Sequence, residues 1–186
     1  MLKIKKAFPG TNTFQKVKDL YFASFPADEQ LPFGRIALLS ILKPSVDLLA
    51  YYDGETFCGF SFTVRSGKYL YINFFAVEPS LRSHGYGAKM FQLLRETFPG
   101  AALCEVKAPI ADTETYDLDV RRMQFWQSNG VDFFGNEYAI TNPHGVKYYI
   151  GATEAPFDRI AYRGIFDHLS FGPSAQLRIL KAYFKK

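Results

Sequence analysis

Arg82-Ser83-His84-Gly85-Tyr86-Gly87-Ala88 lies between an apolar run, Tyr69–Val77, and an amphipathic segment, residues 87–98. A strand, a glycine-containing turn and a helix in that order make an anion site. The first N–H groups of a helix have no partner inside it, and the helix dipole places partial positive charge there. Glycine lets a bulky phosphate approach the main chain closely.

Toward the N-terminus, residues 46–52 form a strand and Asp53-Gly54 is a hairpin signal. The return strand, residues 56–64, places Cys58, Phe60, Phe62 and Val64 on one face. Ser66-Gly67 then turns the chain into residues 68–77. Strands joined by tight turns are antiparallel. The third is apolar on both faces, as a central strand is. Further back, Leu2, Ile4 and Ala7 alternate with polar residues in a first strand, broken by Pro9-Gly10. Residues 11–23 are helical, with Phe14, Val17, Leu20 and Tyr21 on one face. Residues 25–33 form a loop pinned by Pro26 and Pro32, and Pro32 opens a helix to about Leu42.

Toward the C-terminus, Met90, Phe91, Leu94 and Phe98 form an apolar stripe that Pro99-Gly100 stops. Residues 101–106 are a buried strand, so strand, helix and strand imply a parallel, right-handed crossover. Residues 108–118 are a polar loop. Asp119 resembles the N-cap of a helix that runs to Ser128 and ends at Asn129-Gly130. Residues 131–140 and 146–150 form a final hairpin around Asn142-Pro143-His144-Gly145. Residues 154–186 read as two short helices broken by Gly172-Pro173.

A chain of 186 residues suits one domain, and 48% hydrophobic against 22% charged residues is a globular balance. The net charge of +4 is mild, and the lysine clusters are terminal: Lys3, Lys5 and Lys6, then Lys181, Lys185 and Lys186. With no basic stripe, no nucleic-acid partner is expected. No run approaches the roughly 20 apolar residues of a membrane span, and the N-terminus lacks a signal-peptide core. No membrane partner is expected, and the location is expected to be cytoplasmic. Cys58 and Cys104 sit in apolar runs as buried free thiols, and no metal-ligand spacing is present.

Three phosphate-binding motifs compete for the glycine turn. The nucleoside-triphosphate loop, G-x-x-x-x-G-K-[ST], is absent. The dinucleotide fingerprint, G-x-G-x-x-G, finds Gly85 and Gly87 but then Met90. Glu105 does stand twenty residues after Gly85, where a ribose-binding acid belongs. Against that, the turn follows an antiparallel meander, and residues 78–84 separate it from the strand. R-x-x-G-x-G is matched in full by Arg82, Gly85 and Gly87.

With Val77-Glu78-Pro79 before it and an amphipathic helix after it, this stretch resembles motif A of the GNAT family of acetyl-CoA-dependent N-acyltransferases. Arg122-Met123-Gln124-Phe125-Trp126-Gln127-Ser128-Asn129-Gly130-Val131 is similar to the family's motif B. The resemblance covers about residues 1–150. It implies an α+β, GNAT-like three-layer fold: a mixed, mostly antiparallel central sheet with helices on both faces. Residues 1–150 would be the acetyltransferase domain, and residues 151–186 a C-terminal helical extension packed on it.

The resemblance also implies a binding mode for the cosubstrate acetyl-CoA. Its pyrophosphate would lie on the backbone of Ser83, His84, Gly85, Tyr86, Gly87 and Ala88. Its pantetheine arm would pair with Phe75, Ala76 and Val77, where the family's central strand splays from the next. Arg82 would add charge or brace the loop. Asp119 occupies a position where the family often places an asparagine near the pantetheine; helix capping is its simpler role.

An amine with a pKa of about 10.4 must lose a proton before it attacks a thioester. Glu105, in the strand after motif A, is the expected catalytic base; a structural ion pair is its alternative role. Trp126 stands where the family often has a tyrosine that helps the thiolate leave, and an indole has no usable acid proton. Tyr116 and Tyr138 are alternatives, or the thiolate leaves unaided. Trp126 therefore keeps open an acyl-CoA-binding sensor or structural module, and a dinucleotide enzyme is a third option. The amine acceptor is not readable. Asp28, Glu29, Asp112, Glu114 and Asp117 in the flanking loops suit a small cationic amine or a peptide N-terminus. Residues 154–186 would cover the cleft or make a homodimer contact.

Overall fold

A computed structural model describes residues 1–142, 145–154 and 158–169. Among these the fold is mixed α/β, with five helices and an eight-stranded, mostly antiparallel sheet. The strands follow the order β1-β2-β3-β4-β5-β8-β6, and β7 pairs with β8. The chain forms two compact units, Met1–Arg65 with Ile72–Gly100, and Ser66–Tyr71 with the chain from Ala101 onward. No helix among the described residues is long and apolar enough to cross a membrane.

The first unit holds β1 (Leu2–Lys6), α1 (Asn12–Ser24), α2 (Phe33–Leu42), β2 (Val46–Asp53), β3 (Thr56–Ser66), most of β4 (Tyr69–Val77) and α3 (Tyr86–Thr97). Thr11 caps α1, its Oγ1 accepting from the Phe14 N–H at 3.1 Å. Tyr21 on the buried face of α1 meets the Phe74 ring edge-on at 4.9 Å. Its hydroxyl donates to the Leu31 carbonyl at 2.9 Å and accepts from the Leu31 N–H at 2.7 Å, pinning the loop between α1 and α2. Pro32 is the N-cap of α2. Asp47, 1% exposed, is held by Lys6 at 2.7 Å and Arg65 at 3.2 Å.

β2 and β3 pair from Val46 opposite Val64 to Asp53 opposite Thr56, but the register shifts between Tyr51 and Tyr52. Tyr51 stands opposite Gly59 and Tyr52 opposite Phe57, so Cys58 is the extra residue of a β-bulge. The expected alternation of Cys58 with Phe60, Phe62 and Val64 is broken there. Close packing is the reason. Gly59 has φ +155°, and a Cβ on it would stand 2.2 Å from the Ala76 carbonyl oxygen and 2.8 Å from Met90 Cε. Only glycine lets β3 approach β4 and α3 this closely. Residues 57–64 are buried without a break, so β3 is not one-sided.

The second unit holds the start of β4, β5 (Ala101–Lys107), α4 (Tyr116–Ser128), β6 (Asp132–Phe133), β7 (Ile140–Thr141), β8 (Lys147–Ala152) and α5 (Arg159–His168). Cys58 and Cys104 are buried and free. α4 starts four residues earlier than expected, with Thr115 and not Asp119 as its N-cap residue. Asp119 instead lies on the next helical turn, 1% exposed, accepting from Thr115 Oγ1 at 2.8 Å. Two cations made the earlier start favourable, since they satisfy a buried carboxylate that a cap would leave in water.

The final hairpin is interrupted. β6 and β7 pair with β8 at separate places, with a 3-10 turn, Asn136–Tyr138, between them. Gly151 of β8 lies under Val131 and Phe133, where a Cβ would come within 2.6 Å of Val131 Cγ1. Residues 143–144 of the expected hairpin turn lie outside the described residues. So does Gly172-Pro173, the expected break between two C-terminal helices; α5 is the helix described in that region.

Candidate active site

In the first unit, β4 runs out into a 3-10 turn, Pro79–Leu81, and then into the glycine turn. Ser83 has φ +62° and Gly85 has φ +77°. Left-handed residues in a turn help successive N–H groups face one side, the kind of arrangement that binds anions. Ser83 carries a side chain in a conformation that costs it about 1–2 kcal/mol, the kind of strain that gathers at binding sites. Gly85 is the N-cap of α3 and supplies no side-chain cap. The Lys89 N–H donates to the Gly85 carbonyl at 3.2 Å. Among the described residues, the N–H groups of Ser83 to Ala88 donate to no main-chain carbonyl outside a helix. The first turn of α3 contains no acidic residue to repel an anion.

Arg82 braces this turn. Its Nε donates to the Val77 carbonyl at 3.2 Å and a terminal nitrogen reaches Ser24 Oγ at 3.5 Å. The turn is thereby fastened to the end of β4 and the end of α1. His84 Nδ1 lies 2.7 Å from the Arg82 carbonyl. A carbonyl only accepts, so Nδ1 carries the proton. Tyr86 donates its hydroxyl to Asp53 Oδ2 at 3.2 Å, and the Lys89 ammonium lies 5.2 Å from the Tyr86 ring centre. On β4, Phe75 and Val77 are half-buried and Ala76 is buried; the Phe75 ring meets Tyr51 edge-on at 6.4 Å. The residues expected to hold the cofactor in this unit, Phe75 to Val77 and Arg82 to Ala88, thus form one continuous and internally braced segment.

In the second unit, Glu105 lies on β5 opposite Ile150 of β8. Two phenols converge on one of its oxygens. Tyr71 donates to Oε1 at 2.6 Å, and Tyr162 of α5 donates to the same atom. Burial raises the Glu105 carboxyl above its ordinary value, and the bonds from Tyr162 and Tyr71 pull it back down. Neighbouring Cys104 is pushed up, by burial first and by the charge of Glu105 second. The ring centres of Tyr71 and Tyr162 lie 6.3 Å apart, and the Tyr162 ring meets Phe166 edge-on at 5.3 Å.

Neither phenol was marked as a partner of Glu105 in the sequence. Tyr71 carried a faint signal, because a hydroxyl inside a mostly apolar strand needs a partner. Tyr162 carried none, since it is 57 residues from Glu105. Tyr116 opens α4 and is 41% exposed, while Tyr138 packs its ring at 5.6 Å from Phe134. Trp126 is buried against Phe125. Asp119 is occupied by Lys107 at 3.6 Å and Arg122 at 3.3 Å. Asp112, Glu114 and Asp117 are exposed in this unit, as Asp28 is in the other.

The model of the Acetyltransferase (GNAT) family matches residues 14–128. The chain belongs to the GNAT acetyltransferase family. A search of curated proteins found no match. Among solved structures, a GNAT-family protein from Bacteroides thetaiotaomicron has a TM-score of 0.73 at 17% identity, covering 99% of each chain. The ribosomal-protein-S18-alanine N-acetyltransferase of Escherichia coli has a TM-score of 0.59 at 13% identity, over 86% of this chain and 98% of its own. A GNAT acetyltransferase from Elizabethkingia anophelis, solved with acetyl-CoA bound, has a TM-score of 0.57 at 12% identity, over 83% of this chain and 98% of its own. At these identities the likeness is one of fold. The matched residues 14–128 of this GNAT protein contain the braced turn and Glu105 but end before α5, so Tyr162 is a feature of the chain beyond the family match.

Proposed function

We propose that this GNAT protein transfers an acetyl group from acetyl-CoA to an amine by direct attack in a ternary complex. The observation that carries the proposal is the turn at residues 82–88: N–H groups that, among the described residues, donate to no main-chain carbonyl outside a helix, two left-handed residues and a guanidinium brace. That surface suits a pyrophosphate. Ser83, His84, Gly85, Tyr86, Gly87 and Ala88 would hold it through their backbone, and Phe75, Ala76 and Val77 would pair with the pantetheine arm. Arg82 keeps the turn in shape and adds positive charge beside it. The family solved with acetyl-CoA in the Elizabethkingia protein supports this choice of donor.

Glu105 would be the base. The ammonium R–NH3+ gives one proton to the carboxylate, and the free amine attacks the thioester carbonyl. The C–S bond breaks, and the thiolate takes the second proton that nitrogen loses. Residues 1–150 would carry this chemistry and 151–186 extend the same domain. Asp119 would hold α4 against Lys107 of β5 rather than touch the pantetheine, because Lys107, Arg122 and Thr115 already occupy both its oxygens. The acceptor class is a small cationic amine or a peptide N-terminus, favoured by exposed Asp28, Asp112, Glu114 and Asp117.

A second reading rests on Trp126, which removes the usual motif B phenol: the protein would bind acyl-CoA as a sensor without efficient transfer. Release of free thiol from acetyl-CoA, measured across a panel of diamines, aminoglycosides and short peptides, separates the two. Amine-dependent release supports the transferase. Tight acetyl-CoA binding with no release across the panel supports the sensor.

A further inference from the structure

Glu105 is gripped on one side only. Tyr71 and Tyr162 both donate to Oε1. Among the described residues no hydrogen bond to Oε2 accompanies them. Glu105 is half-buried as a residue. A carboxylate with two donors on one oxygen is held in a fixed orientation, which leaves the other oxygen to accept a proton. We propose that Tyr162, together with Tyr71, is a positioning residue for Glu105, and that α5 therefore completes the proton-accepting site from outside the matched family region. This rests on the acetyltransferase reading for what Glu105 does, but not for the phenol–carboxylate relation itself.

Packing supports the assignment. Tyr162 is 2% exposed and Tyr71 1% exposed, so neither phenol is a passing surface contact. Tyr162, Ile165, Phe166 and Leu169 are all buried and recur at helical spacing, which seats α5 firmly. The Phe166 ring lies 6.4 Å from the Tyr71 ring, so the two phenols share one aromatic cluster. Two hydroxyls buried in that cluster would cost free energy without an acceptor, and Oε1 is the acceptor they share.

Charged side chains also stand on the elements around β5. Lys107, on the same strand face two residues on, is paired with Asp119 of α4, as is Arg122. β8 sets apolar Ile150 opposite Glu105, between Tyr149 and Gly151. Cys104 is the adjacent buried thiol. On α5, Arg163 and Asp167 are exposed and His168 is half-buried. Among the described residues, the two phenols are the groups that bond to the carboxylate.

The direction of the effect follows. Phenol donors favour the charged carboxylate. Removing one makes Glu105 harder to ionise and frees the carboxyl to turn. Tyr162→Phe and Tyr71→Phe keep the rings and their packing. The experiment is a pH titration of the Glu105 carboxyl by carbon-13 NMR in the full chain, with the signal identified by its loss in Glu105→Gln. The same variants are run for kcat/KM against pH.

The expected result is a titration midpoint that moves to higher pH in both phenylalanine variants. In turnover, Tyr162→Phe loses about tenfold on the acid limb and comes within about twofold of wild type on the alkaline plateau, as expected for one charge-assisted hydrogen bond. An unchanged midpoint in both variants overturns the proposal, as does a uniform loss across pH. Wild-type protein with no amine-dependent turnover would overturn the acetyltransferase reading instead, and the NMR midpoints would still decide the positioning role.

Discussion

The guanidinium of Arg82 donates to the carbonyl oxygen of Val77 at 3.2 Å, across a 3-10 turn of three residues. This bond ties the residues proposed to meet the pantetheine to those proposed to meet the pyrophosphate. Its partner contact, to Ser24 at the end of α1, is exposed, and exposed contacts of this kind stabilise little. Arg82→Ala should therefore leave the melting temperature within about 2 °C of wild type and weaken acetyl-CoA binding about tenfold, from lost charge and a loosened turn. Calorimetric titration beside thermal unfolding checks both halves.

Gly85 has φ +77° and nothing within 4 Å of the position a Cβ would take. Gly85→Ala therefore pays conformational strain of about 1 kcal/mol without a clash inside the protein. The strain falls on the turn proposed to hold the pyrophosphate, so affinity for acetyl-CoA should fall by more than tenfold. The comparison of unfolding with binding shows whether the loss is selective for the ligand.

Gly59 answers to a different constraint. A Cβ there would stand 2.2 Å from a backbone oxygen, which does not yield as a side-chain tip would. Gly59→Ala should destabilise the protein by about 3 kcal/mol and lower its melting temperature by about 8 °C, as measured by differential scanning calorimetry.

How these features relate to the sequence differs by their physical origin. Local signals read well. Asp53-Gly54 marked the turn between β2 and β3, Pro99-Gly100 the end of α3, and the spacing of Met90, Phe91 and Leu94 its buried face. These depend on backbone dihedrals and periodicity within a few residues. The bulge at Cys58 was hidden because it is imposed by Ala76 and Met90, which lie far along the chain. Asp119 looked like a cap because aspartate commonly is one; Lys107 and Arg122, brought to it by folding, gave it a different place. Tyr162 was invisible for the same reason. The glycine turn stood out because a strand, a glycine turn and a helix start are local backbone features.

Asp119 offers a further test. Its two cations are partly exposed, at 22% and 33%, but the carboxylate is 1% exposed. Asp119→Ala strands two cations at a helix it no longer anchors, and should cost about 2 kcal/mol, less than for a fully buried pair. Denaturant unfolding measures that cost. Acetyl-CoA affinity of the folded variant should stay within about twofold of wild type, whereas a larger loss would place Asp119 at the cofactor.

Glu105 couples activity to stability. Burial raises its carboxyl above the ordinary 4.5, against the lowering effect of Tyr162 and Tyr71. The folded protein therefore holds this proton more tightly than the unfolded chain does. Between the ordinary value and the raised one, stability falls as pH rises. Glu105→Gln removes that loss. It should melt a few degrees above wild type at about pH 8, with the difference closing toward about pH 4. The same variant should lose about 10²–10⁴-fold in amine acetylation, because the proposed proton acceptor is gone. Thermal unfolding across pH and a thiol-release assay read the two effects separately.

The turn at residues 82–88 is proposed to hold the pyrophosphate of coenzyme A. Isothermal titration of the wild-type protein with acetyl-CoA, and in parallel with NAD, tests this. Saturable one-to-one binding of acetyl-CoA with no heat from NAD is the predicted result. No binding of acetyl-CoA at millimolar concentration, or binding of NAD in its place, would contradict it.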